Sequence, residues 1–134
     1  VPVKLSPAAL SFLDEKVYAH VATLMKDGSP QVTPVWVNSD GTNILINTAS
    51  GRVKTNNLKR DGRVAVSIMG MDNAYRCLWV RGKVKEITTE GADEHIDVLA
   101  RKYTGNERYQ GHQPGADRLR MVIEPIGIVE RGLG

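Results

Sequence analysis

The densest run of residues able to do chemistry is SGRVKTNNLKRDGR, residues 50–63. A helix capped by Ser50 would carry Arg52 and Lys54 in its first turn. A helix N-terminus already holds partial positive charge and unpaired N–H groups, so cations there are unfavourable unless an anion joins them. Helix end, Arg52 and Lys54 would then converge on one phosphate-like group. The same spacing describes a solvated basic helix face equally well, and Lys59 and Arg60 at the far end need nothing more.

Other chemistries find little support. His20, His95 and His112 fall in a strand, a helix and a polar loop, without metal-ligand spacing. Cys77 alternates with Trp79 in a strand and has no base beside it, which reads as a packed thiol. There is no Gly-x-Ser-x-Gly elbow, Walker loop or Gly-x-Gly-x-x-Gly fingerprint. The acids of residues 90–97 read as the solvent face of a helix. Trp36, Tyr75 and Trp79 could form a stacking surface for a planar ring, although such residues are more often core or subunit-contact positions. No catalytic side chain is expected, and any redox chemistry would come from a bound cofactor.

These residues need elements to hold them. Ser6-Pro7 predicts an N-cap and first helical residue, opening a helix to about Lys16. Residues 17–25, 31–37 and 44–48 predict three strands, joined by Asp27-Gly28 and Asp40-Gly41 hairpin turns. Pro34 confines its strand to an edge or a bulge. The helix of residues 50–60 precedes strands at 63–69 and 75–87, with a bend at Gly82. Thr89 predicts the cap of a third helix, with Ala92, Ile96, Leu99, Ala100 and Tyr103 at helical spacing. After a polar loop at 104–117, residues 118–130 predict a sixth strand interrupted at Pro125. Six mainly antiparallel strands with short hairpins predict a small barrel.

The 134 residues suffice for one domain, 1–134, with 41% hydrophobic and 25% charged residues giving ordinary globular usage. A single cysteine excludes an internal disulfide framework and fits a reducing cytoplasm. No apolar run approaches the ~20 residues of a membrane helix, and the first residues lack a signal-peptide layout. A net charge of +3 admits anionic ligands. Only 5% of residues are aromatic, with no basic–aromatic stripe, so nucleic acid is not an expected partner.

Three stretches carry a family resemblance: HVATLMKDGSPQVTPVWV at 20–37, TASGRVKTNNLKRDGRVAVSI at 48–68 and YRCLWVRGKVKEIT at 75–88, continued by EHIDVLARKYTG at 94–105. Together they resemble the split β-barrel flavin and deazaflavin proteins grouped with pyridoxamine 5′-phosphate oxidase. More closely, they resemble the actinobacterial branch that uses the deazaflavin coenzyme F420. The resemblance implies a mainly β fold, a six-stranded antiparallel split barrel with about three short helices. It implies a homodimer with cofactor sites between the subunits. The cofactor phosphate would meet Arg52 and Lys54, and the ring would lie over Thr33, Pro34, Val35 and Trp36. The partner chain would add Tyr75, Arg76, Cys77 and Leu78, with Thr48, Ala49 and Asn57 as further cofactor contacts. The implied activity is hydride transfer to a small unsaturated or quinone-like substrate beside the loop at 105–117. FMN is the alternative cofactor, and a cofactor carrier without turnover the alternative function. Extra cations at Lys26, Lys59 and Arg60 would suit the longer anionic tail of the deazaflavin. The Arg-Leu-x-Pro segment of true pyridoxamine-phosphate oxidases does not appear before the final IVERGLG, so vitamin B6 oxidation is not expected.

Overall fold

A computed structural model describes residues 1–134. Three helices and seven strands alternate along the chain. They are α1 (Pro7–Asp14), β1 (Ala19–Leu24), β2 (Pro30–Val35), β3 (Val37–Ser39), β4 (Ile44–Ala49), α2 (Val53–Arg60), β5 (Arg63–Met69), β6 (Cys77–Thr88), α3 (Ala92–Thr104) and β7 (Arg118–Arg131). The strands form one sheet in the order β2-β1-β5-β6-β7-β4-β3, and the paired strands are antiparallel throughout. The two end strands, β2 and β3, are consecutive in the chain and separated only by Trp36. The sheet therefore curls until its ends meet at that residue, which makes a split barrel.

This corner gives seven strands instead of six. Residues 31–37 read as one strand, but the chain changes partner at Trp36: β2 pairs with β1, and β3 pairs with β4. Two α3 side chains fix the break. The Tyr103 hydroxyl accepts from the Val37 N–H at 3.1 Å, and Lys102 Nζ donates to the Val37 carbonyl at 2.7 Å. Burial, the largest effect, pushes the Lys102 pKa down to about 8.

Inward side chains fill the barrel: Val21 from β1, Ile44 and Ile46 from β4, Val66 and Ile68 from β5, Leu78 and Val80 from β6, Met121 and Ile123 from β7. Helix α1 adds Phe12 and Leu13 to the same cluster. Its cap is as predicted, with Ser6 Oγ accepting from the Ala9 N–H at 3.0 Å, although the helix stops at Asp14, short of Lys16. Both Asp-Gly hairpins form, with positive φ at Gly28 and Gly41. Gly82 marks a register shift between β6 and β7, where an added Cβ would stand 2.8 Å from the Glu124 carbonyl oxygen.

Two predicted caps are corrected. Ser50 does not cap α2: its Oγ accepts from the Asp117 N–H at 3.0 Å, and Arg52 takes the N-cap position with no side-chain cap bond. Thr89 does not cap α3 either. β6 runs on to Thr88, and Gly91 at φ 73° starts the helix. The C-terminal strand passes Pro125 without ending, because the ladder to β6 accommodates an irregularity there.

Candidate functional site

An open cleft of about 580 Å³ runs along β2 and the Trp36 corner, facing the start of α2 and the start of β7. Its walls include Thr33, Pro34, Val35, Trp36, Arg52 and Lys54, so the structure brings these six predicted site residues together. Gln31, Asn47, Ile96, Tyr109 and Arg118 join them there; Tyr109 belongs to the loop expected beside the substrate, and the other four were not singled out from the sequence as site residues.

Lys54 is the unusual member. It is 6% exposed, and its only hydrogen bond runs from Nζ to Thr33 Oγ1 at 3.4 Å. No carboxylate pairs with it. Burial first, then the Arg52 and Arg118 charges, push its pKa below the ordinary lysine range. A buried ammonium without a counter-ion costs several kcal/mol. Arg52 at the uncapped N-terminus of α2 adds a second cation, and Arg118 a third. Together they give the cleft an excess of positive charge, which would suit an anionic group.

Arg118 opens β7 and is held from behind. Its Nε–H donates to Asn47 Oδ1 at 2.9 Å, and its guanidinium lies 5.0 Å from the centre of the Tyr109 ring. Burial, the largest cause, holds its pKa below the usual arginine value. Asn47 Nδ2 reaches the Ala92 carbonyl at 2.9 Å and His95 Nδ1 at 3.1 Å. His95 Nε2 lies 2.8 Å from Asn38 Oδ1. Burial first, then Arg120 and Arg118, push the His95 pKa down to about 4.

The apolar wall is an aromatic stack. The Trp36 ring lies parallel to that of Tyr103 at 5.1 Å, and Tyr109 meets it edge-on at 6.0 Å. Tyr109 is the one half-buried anchor among the residues of the 105–113 loop, and Asp97 Oδ1 accepts from its N–H at 2.8 Å.

The other predicted contacts lie elsewhere. Thr48, Ala49 and Asn57 are buried behind the cleft wall, where they secure α2. Thr48 Oγ1 meets Thr55 Oγ1 at 3.1 Å, Thr55 Oγ1 donates to the Ala49 carbonyl at 2.9 Å, and Asn57 Nδ2 donates to Thr23 Oγ1 at 3.0 Å. Lys26, Lys59 and Arg60 are exposed and outside the cleft. Tyr75, Arg76, Cys77 and Leu78 do not line this chain's own cleft. Tyr75 is 87% exposed, Arg76 pairs with Glu15 at 2.6 Å, and the Cys77 thiol donates to the Ala74 carbonyl at 2.9 Å. Leu78 is wholly buried in its own barrel, with ladder partners on both sides.

Beyond β2 lies an outward sheet face with an apolar groove of about 670 Å³. Register aligns Pro34, His20, Ser67, Trp79 and Val129 across five strands, with Val32, Ala22, Ala65, Arg81 and Gly127 in the adjacent row. Val32, Trp79 and Val129 are exposed there. Pro34 belongs both to this face and to the cleft wall, so the two surfaces are continuous.

Asn47 carried a signal that the sequence reading passed over: it is a polar residue inside the buried strand ILINTA. Arg118 carried a weaker one, as one of two arginines flanking a core leucine.

Residues 5–128 match the family described as pyridoxamine 5′-phosphate oxidase. No curated protein matches the chain. A solved structure named as an F420 reductase is 32% identical, with a TM-score of 0.77, covering 89% of this chain and 94% of that one. A conserved hypothetical protein of Mycobacterium tuberculosis is 22% identical at TM-score 0.77, covering 98% of this chain and 87% of that chain. The heme storage protein HutZ of Vibrio cholerae shares the fold at 15% identity and TM-score 0.66, with 98% of each chain covered.

Proposed function

The chain belongs to the pyridoxamine 5′-phosphate oxidase family, and from that premise we propose that it is a coenzyme F420-dependent reductase acting on small unsaturated or quinone-like molecules. The observation that carries this reading is the buried, unpaired Lys54, set with Arg52 and Arg118 in a cleft beside the β2 edge. Three cations with no acid bonded to Lys54 fit an anionic cofactor, and the cleft's volume of about 580 Å³ is that of a small-molecule site. Kinship to a protein named F420 reductase favours the deazaflavin over FMN.

In this reading Arg52 and Lys54 hold the phosphate end. Thr33, Pro34, Val35 and Trp36 form the surface on which the ring rests. The bound cofactor supplies the hydride; the protein orients it and shields it from water. Trp36, braced by Tyr103, keeps that wall rigid. A second copy of the chain would cover the outward face around Val32, Trp79 and Val129, burying apolar surface and reaching the cleft at Pro34. Tyr75 of that copy is the residue free to approach the cofactor; Arg76 would first have to leave Glu15 and Asp72, Cys77 is half-buried, and Leu78 stays in its own core. No helix of the chain is long and apolar enough to cross a membrane, and the lone thiol of Cys77 suits the reducing cytoplasm.

Fluorescence titration with coenzyme F420 and with FMN tests the cofactor. Tighter binding of the deazaflavin is expected, and tighter binding of FMN would overturn that choice. Anaerobic stopped-flow mixing of the reduced complex with menadione and an α,β-unsaturated ester tests turnover. Oxidation no faster than that of free cofactor, for both acceptors, would leave a carrier as the better description.

A further inference from the structure

Behind the cleft, four side chains form a hydrogen-bonded line whose donors and acceptors are fixed. The Ala92 carbonyl can only accept, so the Asn47 amide nitrogen faces it at 2.9 Å. That orientation aims Asn47 Oδ1 at Arg118, where it accepts from Nε–H at 2.9 Å. The same amide nitrogen lies 3.1 Å from His95 Nδ1, which must therefore be the bare, accepting nitrogen. The ring proton then sits on Nε2 and is donated to Asn38 Oδ1 at 2.8 Å. His95 is 7% exposed and Asn47 also 7%, so water is a poor substitute for either partner. Nothing in this line is free to rotate without stranding a buried polar group.

The far end of the line is a guanidinium whose Nε–H is the group taken up by Asn47. The remaining N–H groups of Arg118 are the ones left to meet a ligand in the cleft, which Arg118 lines together with Arg52 and Lys54.

We infer that Arg118 is a third anion-binding residue of the cleft, and that His95 is a positioning residue that aims it through Asn47. The ligand is the anionic cofactor of the proposed function, on which this assignment rests. His95 itself touches no ligand. Its contribution is shared with the Ala92 carbonyl: both take the Asn47 amide nitrogen, and His95 adds the side-chain acceptor that locks the oxygen toward Arg118.

The first test needs no cofactor. Nitrogen-15 NMR of the histidine rings of the intact protein is expected to show His95 protonated on Nε2 and bare on Nδ1; the opposite tautomer overturns the positioning role. Titration of the same sample with inorganic phosphate is expected to shift the Arg118 Nε–H signal, and an unmoved signal overturns the anion assignment.

The second test is binding of coenzyme F420. Arg118→Gln removes a charge-assisted bond and is expected to weaken affinity about ten- to hundredfold. His95→Leu should lose part of that affinity, and His95→Gln, which offers one acceptor and one donor, should restore it. The double variant Arg118→Gln/His95→Leu should bind no worse than Arg118→Gln alone. Losses that multiply in the double variant would make His95 a general structural residue, against the inference. Parent-like affinity in Arg118→Gln would refute it outright. A parent protein that binds neither F420 nor FMN would sink the proposed function, while the phosphate titration would still decide Arg118.

Discussion

Replacing Lys54 with Met is expected to strengthen the fold and weaken the site. The side chain is 6% exposed, bonds only Thr33 Oγ1 at 3.4 Å, and lies near the Arg52 and Arg118 charges. It also occupies the first turn of α2, where the helix dipole opposes a cation. Met keeps the length of the buried stem and removes the charge. Exchange of buried ionic groups for apolar ones of similar volume stabilises by about 1–4 kcal/mol, and the lower half of that range suits a lysine that loses a weak hydrogen bond. In a chain of 134 residues that is a rise in Tm of roughly 3–8 °C. The pH dependence adds a check. The folded-state lysine has a lowered pKa, so the unfolded chain binds more protons between that value and the ordinary one near 10.5. The parent therefore gains stability as pH rises through that window, and its gap to the Lys54→Met variant should narrow. Cofactor affinity moves the other way, falling about ten- to hundredfold with the loss of a charge-assisted bond. Thermal unfolding of the cofactor-free protein and fluorescence titration read the two effects. A variant that is less stable and binds F420 and FMN as tightly as the parent would refute the reasoning.

Three further outcomes are expected. His95 has a folded pKa of about 4 against 6.5 for the free side chain, so the unfolded state takes up its proton first and stability is lost as pH falls from 6.5 to 4; the loss is about 3 kcal/mol, and denaturant titrations should find it much reduced in His95→Gln. Tyr103→Phe leaves the buried Val37 N–H without its acceptor and should cost about 1–3 kcal/mol in chemical denaturation. Sedimentation at micromolar concentration should give the mass of two chains, and Trp79→Glu, which sets a charge on the outward face, should give the mass of one.

Much of the architecture was legible because it depends on near neighbours. Asp27-Gly28, Asp40-Gly41 and the Ser6-Pro7 cap each act within a few residues, and all three form as expected. The errors have the opposite character. The break after Trp36 is held at Val37 by Tyr103, 66 residues further along the chain, and nothing in QVTPVWV records it. Ser50 has the right type for a helix cap, yet it is engaged by Asp117, 67 residues away. The cation pair of the cleft was visible at a helix start. Its third member was not, because Arg118 becomes meaningful only beside Asn47, 71 residues earlier in the chain.

The prolines of β2 have a consequence for solubility as well as for binding. A free strand edge is a template for another strand, and proteins commonly blunt it to avoid aggregation. Pro30 and Pro34 pair with Leu24 and His20, two positions of the same parity along β2. A proline within a paired strand turns its nitrogen toward the unpaired side, so both remove an N–H from the open edge. Only Val32 between them keeps a donor there. An incoming peptide would find carbonyls with too few N–H groups beside them and could not zip on, whereas a flat molecule held by its charged end needs none of that ladder. The same two residues thus disfavour addition of a further strand at this edge, and the cofactor proposed for the cleft would need none of the missing N–H groups.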